Sequence, residues 1–350
     1  MKKFLYLLTV ILLISLSSYC QSGTKEMKQE GSLMVDPKKA LTGSFVDFWK
    51  KDDWSQKDWE NQFQEMKDIG MNTAIIQFAS YGNTTWFNSA NTFTENKYPD
   101  ALPNLLAAAN NKKMDIFIGL YFDETYWKNQ TNTEWLRLHA DRCIFIAEEI
   151  NARFGKDPAF KGWYIPHEPE PNAYHSKELT AIFTDNLVNP VSDKVHSFDS
   201  KPMSIAAFFN YELTSPAQLK DFMSELCRSN LQIIMLQDGV GVNHVSLEQL
   251  GQYYSEADRG LYENTNYTGE FWTDLETFSF KPQGPVTIER IKKQLEAELS
   301  VPHITKAVSF QYYSDMCPTG RGGDASARLR NDYLDFIRKI GLTNKNQNSK

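Results

Sequence analysis

From Leu41 onward, short apolar runs alternate with stretches whose apolar residues recur at helical spacing. The first run, Leu41 to Trp49, reads as a strand, and Asp53 to Ile69 follows as a helix with Trp59, Phe63, Met66 and Ile69 on one face. Gly70 is placed to end that helix. A second strand is expected over Asn72–Phe78, a helix over Pro103–Asn110 and a third strand over Met114–Phe122. Leu136, Ala140, Cys143, Ala147, Ile150 and Phe154 step by four and three in turn, which makes a single helical stripe. The fourth strand is Gly162–Pro166, followed by a helical region over Lys177–Ser197 that Pro190 should interrupt. Strand five is Met203–Phe209 with a helix over Ala217–Ser229, and strand six is Leu231–Leu236. Leu247, Leu250, Tyr254, Ala257 and Leu261 mark the sixth helix, before strand seven at about Tyr267–Leu275. Ile288, Ile291, Leu295 and Leu299 mark the seventh helix, Thr305–Tyr313 the eighth strand, and Leu329, Tyr333, Phe336 and Ile340 the eighth helix.

Eight strand–helix units in strict order imply parallel strands with helical crossovers. The fold class is therefore α/β, and the arrangement a single (β/α)8 TIM barrel over residues 40–341. An open doubly wound sheet is the competing arrangement, but it usually has fewer strands and often a GxGxxG turn after the first, which is missing here. Residues 342–350 read as a disordered polar tail.

The first twenty residues follow a different pattern. Lys2 and Lys3 precede a nearly continuous apolar stretch from Phe4 to Leu16, then Ser17, Ser18, Tyr19 and Cys20. This reads as an export signal, too short for a typical membrane span. A Cys directly after the apolar stretch resembles the bacterial lipoprotein box, although Tyr19 stands where that box prefers a small residue. The resemblance implies lipidation at Cys20 and anchoring to a membrane, with plain secretion as the alternative. Residues 21–39 are polar and read as a tether.

Composition narrows the function. The 350 residues carry 37 basic and 44 acidic side chains, a net charge of −7, which argues against a nucleic-acid partner. Aromatics make up 13% of the chain, as a core or a sugar-stacking surface would require. The remaining cysteines, Cys143, Cys227 and Cys317, are odd in number and far apart, so no disulfide framework is indicated. The helical stripe that carries Cys143 makes it a buried thiol.

In a barrel, chemistry sits at the carboxyl ends of the strands. There the sequence places Asp47 and Trp49, Gln77, Tyr121 with Asp123 and Glu124, His167 with Glu168 and Glu170, Asn210, Gln237 with Asp238, and Gln311 with Tyr312 and Asp315. On strand seven, alternation puts Glu270, Trp272, Asp274 and Glu276 on one face. This rim is rich in acids, amides and aromatics and poor in cations, so a phosphorylated substrate is disfavoured. Arg321 is the exception, in a Thr319–Gly323 segment read as a plain flexible loop. The six histidines are scattered and no HExxH motif is present, so no metal or other cofactor is implied.

The segment Gly162-Trp163-Tyr164-Ile165-Pro166-His167-Glu168-Pro169 resembles the strand-four motif of the large clan of retaining barrel glycosidases, in which Asn-Glu-Pro carries the acid/base. His167 stands where that Asn would be. The resemblance implies Glu168 as acid/base and a strand-seven carboxylate as nucleophile, here Glu276, with Glu270 in reserve. The wording Gly-Trp-Tyr-Ile-Pro-x-Glu with Phe-Trp-x-x-x-Glu-Thr-Phe is also similar to a group of exported Bacteroidota barrels of unknown function, over about Ala40 to Ile340. The expected activity is hydrolysis of a glycosidic bond in an oligo- or polysaccharide, with retention favoured. Asp47, Gln77, Asn210, Gln237 and Asp238 would bind hydroxyls, with His167, Tyr121 and Asp123 beside them. Trp49, Trp272 and Tyr312 would offer ring faces, unless they serve only in packing. A glycan-binding lipoprotein without catalysis and a transglycosylase on the same barrel remain open.

Overall fold

The computed structural model describes residues 35–347 apart from Pro37, with side chains as far as Gly341. Cys20 and most of the stretch read as a tether lie outside the described residues. The barrel strands are β1 (Leu41–Val46), β2 (Thr73–Ile76), β3 (Asp115–Gly119), β4 (Phe160–Ile165), β5 (Met203–Ala207), β6 (Ile233–Gln237), β7 (Glu270–Glu276) and β8 (Ile304–Phe310). Each pairs in parallel with its neighbours, and β8 pairs with β1 to close the ring. The crossovers are α1 (Gln56–Asp68), α2 (Ala101–Lys112), α3 (Thr133–Phe154), α4 (Lys177–His196), α5 (Pro216–Leu226), α6 (Leu247–Tyr262), α7 (Ile288–Leu299) and α8 (Asp324–Gln347).

Two apolar bodies hold this together. One lies between strands and helices and includes Trp59, Leu136, Cys143, Tyr254 and Leu295. The other fills the barrel: Phe45, Ile75, Phe117, Tyr164, Ala206, Met235, Trp272 and Val308. Gly162 makes room for one of these rings, since a Cβ there would lie 2.1 Å from Cε1 of Phe117. Local signals start the helices where the pattern places them. Ser55 and Ser215 form capping boxes with Asp58 and Gln218, which satisfy otherwise orphaned backbone N–H groups.

Some expected boundaries shift. Pro190 does not break α4; it sits in the first turn of the Asn189–His196 segment, directly after a π-helical turn over Thr184–Val188. There its missing N–H costs little. The expected strand eight over-reaches, because Tyr312–Asp315 forms a helical turn. The last helix continues to Gln347, into the stretch expected to be a disordered tail. Beyond the mouth, Ser80–Tyr81, Thr84–Thr85 and Tyr121–Phe122 form a small sheet, and Phe278–Phe280 with Gln283–Pro285 form a hairpin. All three remaining cysteines are free and buried. Among the described residues no helix is long and apolar enough to cross a membrane.

Candidate active site

Alternation along each strand decides which side chains reach the mouth of the barrel. Tyr164 faces inward on β4, and so does the position four residues on, Glu168. Glu168 remains partly exposed, and Gln237 from the end of β6 hydrogen-bonds its carboxyl group. Burial pushes that carboxyl up to about 7, and nearby Glu124 adds to the rise. A group so placed is half protonated at neutral pH, as a general acid requires.

On β7, Trp272 faces inward and the same face continues through Asp274 to Glu276. Glu276 is 5% exposed. Its Oε2 accepts the backbone N–H of Val242 at 3.0 Å, from the loop after β6. Burial, then the carboxylate of Asp238, pushes Glu276 up to about 8. Below it, Asp274 is buried with Oδ1 lacking any protein partner, and burial followed by Glu276 raises its pKa strongly. The mouth therefore holds three carboxyl groups that resist ionisation. A nucleophile has to be ionised, whereas burial and Asp238 favour the protonated form of Glu276.

Asp47 and Gln77 also reach the mouth. Asp47 pairs with the buried Lys51 at 2.7 Å and accepts from Gln311 Nε2 at 2.8 Å. The Oε1 atoms of Gln77 and Gln311 have no protein partner. Trp49 stands at the rim, 45% exposed, against Phe78 and Tyr81. Asn210 lies in the loop after β5, where its Oδ1 accepts the N–H of Glu212.

Several expected site residues lie elsewhere. His167 is fully buried and turned toward α3, its ring against Tyr126 and His139, because it alternates away from Glu168. Tyr121 is buried and receives Arg142 from α3, so its ring is packing. Asp123 caps the turn that begins at Glu124, accepting the N–H of Thr125. Asp238 points to α7, where Gln294 binds it and Glu298 faces it. Trp272 lies inside the barrel, edge-on to Phe117 and 4% exposed, so no sugar can stack on it. Tyr312 is buried between α1 and α8, bonded to Glu65 and Arg330. Glu270, the reserve nucleophile, begins β7 and so lies about 20 Å from Glu276 along the strand.

Other residues were missed. Glu124 replaces Asp123 as the strand-three acid near Glu168. Asp274 and Gln311 were visible on the rim but not given roles; alternation with Glu276 and the pairing of Gln311 with Asp47 bring them in. The backing of Glu276 from α7 had no signal in the sequence. Arg290 Nη2 and Gln294 Nε2 donate to the Glu276 carbonyl at 3.1 and 3.2 Å and fix its backbone from outside. Among the described residues no group of three or more His, Cys, Asp or Glu is arranged to hold a metal.

Residues 41–321 match a family described as a domain of unknown function, DUF4434. The chain belongs to this family. A curated relative, the "Uncharacterized protein YbcH" of Escherichia coli (strain K12), is 21% identical over 259 residues, 72% of this chain and 76% of that protein. Among solved structures, a "putative alpha-L-fucosidase" from Bacteroides thetaiotaomicron VPI-5482 superposes with a TM-score of 0.72 at 18% identity, covering 91% of this chain and 99% of that one. An endo-1,4-beta-mannanase from Rhizomucor miehei superposes with a TM-score of 0.58 at 14% identity, over 86% and 95% of the two chains. At these identities the likeness establishes a shared barrel fold.

Proposed function

We propose that this barrel hydrolyses a glycosidic bond, with Glu168 as proton donor and Glu276 as its partner. The observation that carries the reading is Glu168 itself. It is a largely buried, inward carboxyl at the end of β4, held near a pKa of 7 with an amide on it and a second inward carboxyl across the mouth on β7. The shared fold with glycoside hydrolases supports the reading. Glu168 gives its proton to the glycosidic oxygen as the bond to the anomeric carbon breaks. The Glu276 carboxylate attacks that carbon. Glu168, now ionised, then takes a proton from the water that releases the sugar. Asp47, Gln77, Gln237 and Gln311 line the mouth with acceptors and donors for hydroxyls, and Trp49 offers a ring face. We further propose export with lipidation at Cys20, tested by lipid labelling that Cys20→Ala abolishes.

The test is release of reducing sugar from a panel of oligo- and polysaccharides by the wild type, Glu168→Gln and Glu276→Gln, with folding checked by circular dichroism. Loss in both variants supports the pair, and full activity in either removes it. NMR of the first-formed anomer then reads retention or inversion. One observation favours a second reading, a glycan-binding protein without turnover. The Glu276 carboxyl is tied to the loop after β6 and holds its proton, which makes it a poor nucleophile. Saturable glycan binding with no product from any glycan would select that reading. Product appearing chiefly on an added sugar acceptor would select transglycosylation.

A further inference from the structure

Beside the carboxyl end of β8 lies a cavity of about 590 Å³, walled by the Phe278–Pro285 hairpin, the end of β8 and the first turn of α8. It adjoins the site already described, since Phe310 in its wall is the register partner of Glu276. Its apolar surface comes from Phe278, Phe280, Pro285 and Phe310, and Phe280 is 59% exposed. Its cation is Arg321. Among the described residues that guanidinium makes one hydrogen bond, from Nη2 to Ser314 Oγ at 3.1 Å, and has no carboxylate within ion-pair distance. Four of its five donors are thus free, in a fork that matches a planar or tetrahedral anion.

The loop that carries Arg321 is packed in place. A Cβ at Gly320 would lie 1.8 Å from the Tyr313 carbonyl oxygen, and one at Gly322 would lie 2.1 Å from Ser326 Oγ. The Gly320 N–H also bonds the Cys317 carbonyl at 2.9 Å. Two acids lie nearby. Asp47 pairs with Lys51. Asp315 Oδ2 accepts from the Gln311 N–H and the Thr277 hydroxyl; burial pushes its carboxyl up to about 6, and those two bonds and then the Arg321 charge act against that rise, without an ion pair between the two side chains. The amino end of α8, through Ala325, adds a favourable dipole to the same wall.

We propose that this cavity is a subsite for a saccharide residue bearing an anionic substituent, bound by the Arg321 guanidinium with its ring face against Phe280. The proposal rests on the reading of the mouth as a sugar site and names the class of sugar beside the scissile bond. A uronate carboxylate and a sulfate ester present the same chemistry to Arg321.

The test is titration calorimetry at low salt on Glu168→Gln protein, which removes turnover. The probes are the methyl glycosides of glucuronic and galacturonic acid, the corresponding neutral methyl hexosides, and the 6-sulfated hexosides. An acidic probe should bind about 10- to 100-fold more tightly than its neutral counterpart, the range of a charge-assisted hydrogen bond. Adding Arg321→Gln should cancel that preference and leave neutral binding unchanged, whereas Phe280→Ala should weaken charged and neutral probes alike. The uronate and sulfate arms identify the source of the charge. Equal affinity for charged and neutral probes overturns the proposal, as does a preference that survives Arg321→Gln. A preference abolished by Arg321→Gln, in a protein whose wild type hydrolyses nothing, upholds the subsite and rejects the glycosidase reading. Hydrolysis without charge preference does the reverse.

Discussion

Each end of the barrel holds a cavity and a glutamate from β7, and the two carboxyl groups are treated in opposite ways. At the amino end, a cavity of about 670 Å³ is lined by Arg228, Tyr267 and Glu270. Glu270 Oε2 there accepts from Trp272 Nε1 at 2.7 Å and from Thr305 Oγ1 at 3.0 Å, in contact with solvent. At the carboxyl end Glu276 is buried beside two other carboxyl groups, and burial drives it up to about 8. The first arrangement ties off a strand end. The second keeps acidic groups desolvated at a cost to stability, which is the pattern of functional sites. One strand thus carries a solvated, hydrogen-bonded carboxylate and a desolvated one six residues apart, and position along the barrel axis separates them.

The largest expected effect tests that separation directly. Glu276→Gln and Glu168→Gln should each lower kcat by about 10²- to 10⁴-fold, and Glu270→Gln by less than about twofold. The loss in Glu168→Gln should shrink for aryl glycosides whose leaving group needs no proton, while the loss in Glu276→Gln should persist. A large loss in Glu270→Gln would break the comparison.

The pH profile sharpens it. The reactive form needs Glu168 protonated and Glu276 ionised, with the two titrating near 7 and 8. Activity should follow a narrow bell with its optimum between those values, falling below pH 7 and above pH 8. A flat profile from pH 5 to 7 would show that Glu276 ionises in the ordinary carboxylate range.

Between the two ends, Gly162→Ala would force a methyl group against Phe117 in the barrel interior. The expected cost is about 1–3 kcal/mol in chemical denaturation. An unchanged midpoint would mean that the interior can relax around it.

The smallest effect is on stability against pH. The folded chain keeps a proton on Glu276 up to about pH 8, whereas the unfolded chain releases it near 4.5. The folded state binds more protons across that window, so the contribution of Glu276 to stability is full below 4.5 and falls as pH rises to 8. Glu276→Gln should therefore raise Tm at pH 8 and leave it nearly unchanged at pH 4, where the folded and unfolded chains both hold the proton. Glu270→Gln should change stability by less than about 0.5 kcal/mol at either pH. A destabilised Glu276→Gln at pH 8 would contradict the desolvation account.

Much of the architecture was legible because it rests on periodicity. The α3 stripe through Leu136, Cys143 and Ile150 is buried as its spacing required, and the eight strands appear in the expected order. Pro190 misled because a proline in the first turn of a helical segment lacks only a hydrogen bond that would be unmade in any case. Within the site, alternation along β7 put Glu276 on the inward face, and Glu168, picked out by its likeness to the Asn-Glu-Pro motif, lies inward as well. His167 and Asp238, chosen because they stand at strand ends, sit next to inward residues and therefore face the helices. Trp272 lies on the inward face that alternation gave it, but too deep to meet a ligand.

The sequence by itself determined the barrel and its strand order, since both follow from the two- and 3.6-residue periods and the fixed direction of parallel strands. Only the tertiary structure decided which neighbouring carboxyls are buried, which loop binds Glu276, what α7 contributes behind it and where Arg321 lies. Those features depend on contacts between segments far apart in the chain, and desolvation and electrostatic coupling have no counterpart in a local pattern.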